Sequence, residues 1–397
     1  MKWSSAISEE ADLVTAVRAA SAELRDALRP DEPSLILAFV SEHHRGGYRD
    51  VPSLVGCEFG TSLVIGCSAR SVIGAGREVE EGPAVSLTAG VLPGVSLHPF
   101  HLDVDRLPDD DAPEKVWRAC VGVPYVPAPQ FLLLCDPFSF EGERLVRGLD
   151  RAYPLSQKVG GVASGGQAPG DNALFVGTQV HRSGSVGVAL AGNVQLDTII
   201  AQGCRPIGAP MFVTRCRDNV LLELDGRPPL EVLQELYATL GPEDRKLCRG
   251  SLFLGLEMKA ARDAYAQGDF LIRNLLGSDP QTGALRIGAL LREAQVVQFH
   301  LRDARTSAED LERRLADYEV QLPPGTARGA VLFSCLGRGG QLYGRPNHDS
   351  DALRRHLGDI ALGGFFCNGE IGPVEGQTFL HGYTSAFGIF RSSSYSM

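Results

Sequence analysis

A mixed α/β (α+β) fold with more strand than helix is what the sequence predicts, and three observations carry that expectation. Continuous apolar runs of strand length recur, as in Leu35-Ile36-Leu37-Ala38-Phe39-Val40 and Phe131-Leu132-Leu133-Leu134-Cys135. Segments with apolar residues at helical spacing lie between such runs. Glycine-rich turns follow the strands at offsets of about thirty residues.

The chain opens on an amphipathic helix, since Leu13, Val14, Val17, Leu24 and Leu28 recur at spacings that share one face, and Pro30 and Pro33 end it. Residues 1–30 are therefore assigned to an N-terminal helix. Further strands are expected over Leu63–Gly66, Ala84–Ala89, Val95–Leu102, Phe131–Cys135, Leu174–Thr178 and Val186–Ala191. Asp225-Gly226 is a turn, and Pro228-Pro229 starts a helix carrying Leu230, Val232, Leu233, Leu236 and Leu240. The polar stretch Gly241–Lys246 marks a domain boundary. Beyond it, Leu252–Leu256 is a strand, Ala284–Leu290 and Ala294–Leu301 form a hairpin or strand pair, and Ala308–Tyr318 is a surface helix. Pro323-Pro324-Gly325 is a linker.

One supersecondary unit recurs in outline. Leu35–Val40 is followed by Gly66-Cys67-Ser68, Phe131–Cys135 by Gly160-Gly161, and Val331–Cys335 by Gly363-Gly364. In the second and third cases a helix is expected between the strands, over Glu143–Tyr153 and Asp349–Leu357. Duplication of a strand-helix-strand-hairpin unit produces this pattern, although α/β chains also alternate at such spacing by chance.

At 397 residues the chain exceeds one ordinary core, so two domains or one large composite are expected. Hydrophobic residues make up 44% and charged residues 22%, the balance of a globular protein. A net charge of -10 argues against nucleic acid and against an anionic membrane. No apolar run has the length of a spanning helix, and Met1-Lys2-Trp3-Ser4-Ser5 does not open a signal peptide, so a cytoplasmic location is expected. The nine cysteines lack a Cys-x-x-Cys pair and are read as packed thiols in a reducing compartment.

Several chemistries find no support. Gly337-Arg338-Gly339-Gly340 lacks the order of a dinucleotide turn, and Gly161-Val162-Ala163-Ser164-Gly165 is out of register for a nucleophile elbow. The pairs His43-His44 and His98/His101 are incomplete as metal ligands and are read as surface histidines, and Asp109-Asp110-Asp111 as a solvated loop. No cofactor is expected.

The candidates lie near the C-terminus. Cys335 ends an apolar strand, and Arg338 follows in a glycine-flanked turn, where it serves either to lower the thiol pKa or to fork onto a carboxylate ligand. The alternative is that Arg338 pairs with an internal acid such as Glu370 while Cys335 is simply packed. Glu370, in Asn368-Gly369-Glu370-Ile371-Gly372-Pro373, is held in a tight turn and suits an ammonium group or a base; an exposed turn acid is the alternative. With His381 and Thr384, Arg338 and Glu370 form a candidate clamp for both ends of a zwitterion.

These residues resemble the FIST family, the F-box and intracellular signal transduction proteins. The C-terminal resemblance rests on Phe333-Ser334-Cys335 with Gly337-Arg338, on Gly364-Phe365 with Asn368–Pro373, and on Leu380-His381-Gly382 with Thr384. The N-terminal one rests on Gly66-Cys67-Ser68, Gly160-Gly161, Gly203, Pro206, Gly208, Thr214 and Leu224-Asp225-Gly226. The resemblance implies an N-terminal domain over 31–242, a C-terminal domain over 250–390, and a sensory module for small ligands, amino acids among them. The helix before Pro30 is too short for an F-box, so FIST domains alone are expected, and the signal is expected to leave through a partner protein. Ser68 and Arg70 are added as binding candidates, with an Arg at 70 where family members carry small or polar residues. Cys335, Arg338, Asn368, Glu370, His381 and Thr384 complete the expected ligand-binding set. A protein-interaction adaptor is the alternative function, and a Cys335-dependent enzyme with Glu370 or His381 as acid or base is the weaker one; an enzyme is the less favoured class.

Overall fold

The computed structural model of the chain describes residues 1–60, 62–124, 128–260, 262–323 and 325–393. They form two compact units: Met1–Ile200 with Glu312–Leu380 and the chain from Thr384 onward, and Ala201–Leu311 with His381–Tyr383. Pro324, within the expected linker, lies outside the described residues.

The first unit is built from three copies of one motif. Each copy has a central parallel strand pair joined by a helix: Leu35–Ser41 and Leu63–Ala69 around helix Val51–Phe59, Gln130–Cys135 and Lys158–Val162 around Gly142–Ala152, and Gly329–Cys335 and Ala361–Cys367 around His348–Leu357. A hairpin and one more strand follow in each. That last strand, Val85–Val91, Ser185–Gly192 or Thr384–Arg391, returns antiparallel to the first strand of its own copy. The repetition expected from the spacing of strands and glycine turns is therefore present.

Each hairpin leaves its own copy. Val72–Gly74 with Arg77–Val79 extends the third sheet, Leu174–Val176 with Gln179–His181 extends the first, and Glu370–Val374 with Gln377–His381 extends the second. An edge strand completes each sheet: Lys2–Ser8, Val95–Leu102 and Gln195–Gln202 cover the first, second and third in turn. The exchange is cyclic. No sheet is complete without strands from another copy, so the three fold as one body.

Alternation along the strands explains the core. Leu35, Leu37 and Phe39 point into an apolar cluster shared with Leu132, Leu134, Val331 and Phe333, while Ile36, Ala38 and Val40 point the other way, under Val17, Leu24 and Val55 of the helices. Both faces are buried, which is why the run reads as continuously apolar. Helix Leu13–Leu28 starts at Asp12, whose carboxylate accepts the Thr15 N–H at 2.9 Å. Among the described residues no helix is long and apolar enough to cross a membrane.

One backbone contact recurs in all three copies. Gly66, Gly160 and Gly364 stand opposite Ala38, Leu133 and Leu332 in the parallel pairs, and an added Cβ would lie 1.8 to 1.9 Å from the facing carbonyl oxygen. Only glycine permits this approach. The glycines that marked the repeat in the sequence are thus required by strand geometry.

The second unit is an insertion into the third copy, between edge strand Gln195–Gln202 and helix Ala304–Gln321. Cys204–Arg217, Val220–Leu224, Leu285–Ile287, Phe270–Ser278, Leu252–Glu257 and Val296–Arg302 close a barrel in that order. Its interior holds Ile207, Leu221, Leu254, Leu285, Val297 and Phe299.

Four sequence readings are corrected. Residues 1–30 are not all helical: Lys2–Ser8 is a strand, since Trp3-Ser4-Ser5-Ala6-Ile7 pairs along Val85–Val91. The polar stretch 241–246 is not an irregular connection: Pro242–Cys248 is a helix of the inserted unit. Leu285–Ile287 pairs with Val220–Leu224 and Phe270–Ser278 and is not a neighbour of Val296–Arg302 in the barrel, because the barrel order separates them. His44 is no surface residue: the short 3-10 turn Glu42–Gly47 carries it inward and leaves His43 exposed. None of the nine cysteines, all among the described residues, is in a disulfide; Cys67, Cys135, Cys204 and Cys367 are buried and Cys57 is exposed.

Candidate functional site

The turns that follow the central strands of the three copies meet. Arg70, Ser164 and Asn368 occupy equivalent positions, each four residues beyond the shared glycine, Gly66, Gly160 or Gly364. The Arg70 N–H donates to Ser164 Oγ at 2.9 Å, Ser164 Oγ donates to the Phe366 carbonyl at 2.5 Å, and Asn368 Nδ2 donates to the Ala163 carbonyl at 2.9 Å. The seam is stitched by these residues. Arg70 and Asn368 are exposed there, whereas Ser164 is buried with its hydroxyl engaged. Ser68 is buried too: its Oγ accepts the Ala173 N–H at 2.9 Å and lies 3.4 Å from Asn172 Oδ1.

Glu370 departs from its counterparts. In register it occupies the place of Val72 and Leu174, apolar residues of the other two hairpins. It is fully buried, and one carboxylate oxygen accepts from Thr384 N–H at 3.1 Å and Thr384 Oγ1 at 2.8 Å. It is not an exposed turn acid. Thr384 immediately precedes the remaining residues of the returning strand, so an acid and its donor come from adjacent parts of the third copy.

Arg338 pairs with an internal acid, the alternative read from sequence, but the acid is Asp349 and not Glu370. Its guanidinium is fully buried and bidentate, with Nε to Oδ2 at 2.8 Å and Nη2 to Oδ1 at 3.1 Å. The reason is local: the turn after Gly329–Cys335 brings Arg338 beneath the first turn of helix His348–Leu357, where Asp349 sits. His348 Nδ1 lies 2.9 Å from Asp349 Oδ1, Ser385 Oγ donates to Oδ2, and the Tyr343 ring stacks on His348 at 3.5 Å. Burial by itself would raise the Asp349 carboxyl; the charge of Arg338 and the hydrogen bonds from His348, Arg338 and Ser385 outweigh it and hold the group well below the usual carboxylate range. Cys335 is half-buried at the end of its strand and stands opposite Cys367 in register. Burial, then the Glu370 charge, pushes the Cys367 thiol up. His381 is buried and belongs to the inserted unit.

Glu78 and Glu80 were not singled out from sequence. Their one signal is the alternation in Arg77-Glu78-Val79-Glu80, which places both acids on one side of a strand. Glu78 is buried and accepts from Ser350 N–H and Oγ, both at 2.8 Å; Glu80 accepts the Gly340 N–H at 2.8 and 3.0 Å. Burial first, and the charge of Asp349 second, pushes the Glu78 carboxyl up to about 7 against the Ser350 hydrogen bonds. An acid with a folded pKa above its ordinary 4.5 binds its proton more tightly folded than unfolded, so its contribution to stability falls as pH rises from 4.5 to about 7. Glu78→Gln is therefore expected to raise the melting temperature at about pH 8 and to change it little near pH 4. Equal shifts at both pH values, read by differential scanning calorimetry, would remove this account.

The FIST N domain model matches residues 34–227 and the FIST C domain model residues 229–373. An uncharacterized protein of Mycobacterium tuberculosis is 36% identical over 386 residues, spanning 97% of this chain and 98% of that one. An F-box/LRR-repeat protein of Arabidopsis thaliana is 28% identical over 156 residues, 36% of this chain and 28% of its own. A crystal structure of a cyanuric acid hydrolase from A. caulinodans aligns over 99% of each chain at 10% identity with a TM-score of 0.33, a likeness that carries no argument.

Proposed function

The chain belongs to the FIST family, and from that premise we propose that it is a cytoplasmic sensor of small ligands, amino acids or related metabolites, that acts through a partner protein. FIST domains are of the sensory, signal-transduction type. The observation that supports the reading is the departure of the third copy from its siblings. Three copies share one framework, yet a buried acid, Glu370, replaces Val72 and Leu174 there. Broken local patterns of this kind gather at functional sites.

A thermal-shift panel of the common amino acids and related metabolites tests the proposal. A ligand at one hundred times its Kd stabilises the fold by about 2.7 kcal/mol, which a melting curve resolves. If no compound in the panel moves the transition, the sensor reading fails.

The F-box relative favours a second reading, an interaction adaptor. Asn368 is exposed on the seam and suits the test. A partner captured by the wild type and lost with Asn368→Ala, while small molecules produce no shift, supports the adaptor.

A further inference from the structure

The inserted unit, Ala201–Leu311 with His381–Tyr383, holds nearly equal numbers of basic and acidic residues, whereas the whole chain carries a net charge of -10. Within it Arg205, Arg215 and Arg227 each pair with an acid. Two others do not. Arg217 and Arg286 are exposed, and no side chain among the described residues pairs with either guanidinium.

Register sets these two arginines in one row. Arg217 stands opposite Val220, Val220 opposite Arg286, and Arg286 opposite Gly277, across four neighbouring strands of the barrel. Residues directly opposite one another share a face, and Leu221, Leu285 and Ile287, next to Val220 and Arg286 in their strands, fill the interior. The row therefore lies on the outer face. Neighbouring strands are about 4.8 Å apart, which sets the two arginines about 10 Å apart at the backbone.

Two β-bulges add leucines to this face. Arg215 pairs with Glu223 and Cys216 with Leu221, which leaves Leu222 as an extra residue; Leu275 pairs with Ile287 and Gly277 with Arg286, which leaves Leu276 as another. Bulges re-aim side chains. By register Leu222 lies on one side of the arginine row and Leu276, 55% exposed, on the other. Both leucines line a pocket of about 420 Å³ together with Val220 and Arg286. A Cβ at Gly277 would meet nothing within 4 Å, so the floor beside Arg286 is open. Asp279, the acid in the lining, is taken up by its own turn: it accepts from the Gln281 N–H at 2.9 Å and the Thr282 hydroxyl at 2.8 Å.

We propose that this face binds a segment of a partner protein that carries two carboxylates three residues apart with apolar side chains between them. A chain in polyproline II geometry has three residues per turn and rises about 3.1 Å per residue, so acids three apart point the same way with about 9.3 Å between them. That spacing matches the arginine row. The two intervening side chains project to the flanks, toward Leu222 and Leu276. Guanidinium groups fork onto carboxylates, and the balanced charge of this unit repels an acidic segment less than the rest of the chain does. The proposal rests on the reading that the protein acts through a partner, and it gives that partner a surface.

Fluorescence anisotropy of the full chain with a labelled, capped Gly-Glu-Leu-Leu-Glu-Gly peptide tests it, beside the same composition reordered as Gly-Glu-Glu-Leu-Leu-Gly. Wild type is expected to bind the first peptide about two- to fivefold more tightly, since the second reaches only one arginine. The double variant Arg217→Gln with Arg286→Gln is expected to weaken binding about tenfold, as two such pairs are lost, and to erase the preference. Leu276→Ser is expected to weaken it about threefold or more. Neither variant is expected to change the melting temperature, because the replaced side chains are exposed. No binding by wild type, or equal binding of the two peptides, overturns the proposal. Binding that survives the double variant and is lost in Asn368→Ala overturns this face and leaves the partner reading standing. Phosphatidylserine vesicles bound in place of the peptide assign the face to a lipid surface, and dimerisation in sedimentation that the double variant abolishes assigns it to a second copy; either result overturns the proposal. A clearly lowered melting temperature for the double variant makes the arginines structural and also overturns it.

Discussion

Replacing Arg338 with alanine is expected to destabilise the protein by about 3–5 kcal/mol, the cost of removing one partner from a buried ion pair. Asp349 would remain in the interior without the bidentate donor that keeps it ionised. The sign of the pH dependence follows. In the wild type the depressed Asp349 carboxyl contributes stability above its ordinary 3.8 and loses it as pH falls through the folded value. In Arg338→Ala the same carboxyl is buried without its counter-ion and is more easily protonated, so the deficit should shrink as the pH is lowered. Denaturant melts near neutral and mildly acidic pH measure both effects. The double variant Arg338→Met with Asp349→Leu should recover much of the loss, because an apolar pair of similar volume leaves no charge behind. A single-variant loss below about 1 kcal/mol, the range of an exposed pair, would contradict the buried-pair account.

The second large effect belongs to the shared glycine. Gly160→Ala places a methyl group 1.9 Å from the Leu133 carbonyl oxygen, and backbone, unlike a flexible side chain, has no rotamer to yield. The two central strands would have to part. A loss of more than about 4 kcal/mol, in the extreme tail for single substitutions, is expected, and Gly66→Ala and Gly364→Ala should behave alike because their contacts are the same. Gly56→Ala is the control: it lies in helix Val51–Phe59 with nothing within 4 Å of an added Cβ, and should stabilise by about 0.5–1 kcal/mol. Wild-type melting of Gly160→Ala would show that the parallel strands are less tightly apposed than the register requires.

The cyclic exchange of hairpins gives these local effects a wide reach. Each sheet borrows a hairpin, so a copy that fails to form removes strands from a neighbour as well. Damage at Gly160 is therefore expected to appear as loss of the whole first unit in a single transition, with no separate melting of the second copy.

What could be read in the sequence was whatever neighbouring residues determine. Apolar runs such as Leu35–Val40 and the period of helix Leu13–Leu28 report burial directly, since strand and helix geometry set which residues share a face. The glycine turns revealed the repeat because backbone approach between parallel strands excludes every side chain. Glu370 and Thr384 were legible as two members of one candidate polar set with Arg338 and His381, and these two do meet, while Arg338 joins Asp349 instead.

Only the tertiary structure decided the partners. Arg338 finds Asp349 through a turn whose path no spacing rule specifies, and Glu78 reaches Ser350 across most of the chain. The edge strand Lys2–Ser8 was hidden because short strands of mixed polarity acquire their identity from the strand they pair with. Local pattern thus determined the elements and their threefold repetition, while long-range register determined the hairpin exchange, the inserted barrel and the charges that each buried group faces, because those depend on contacts between residues far apart in the chain.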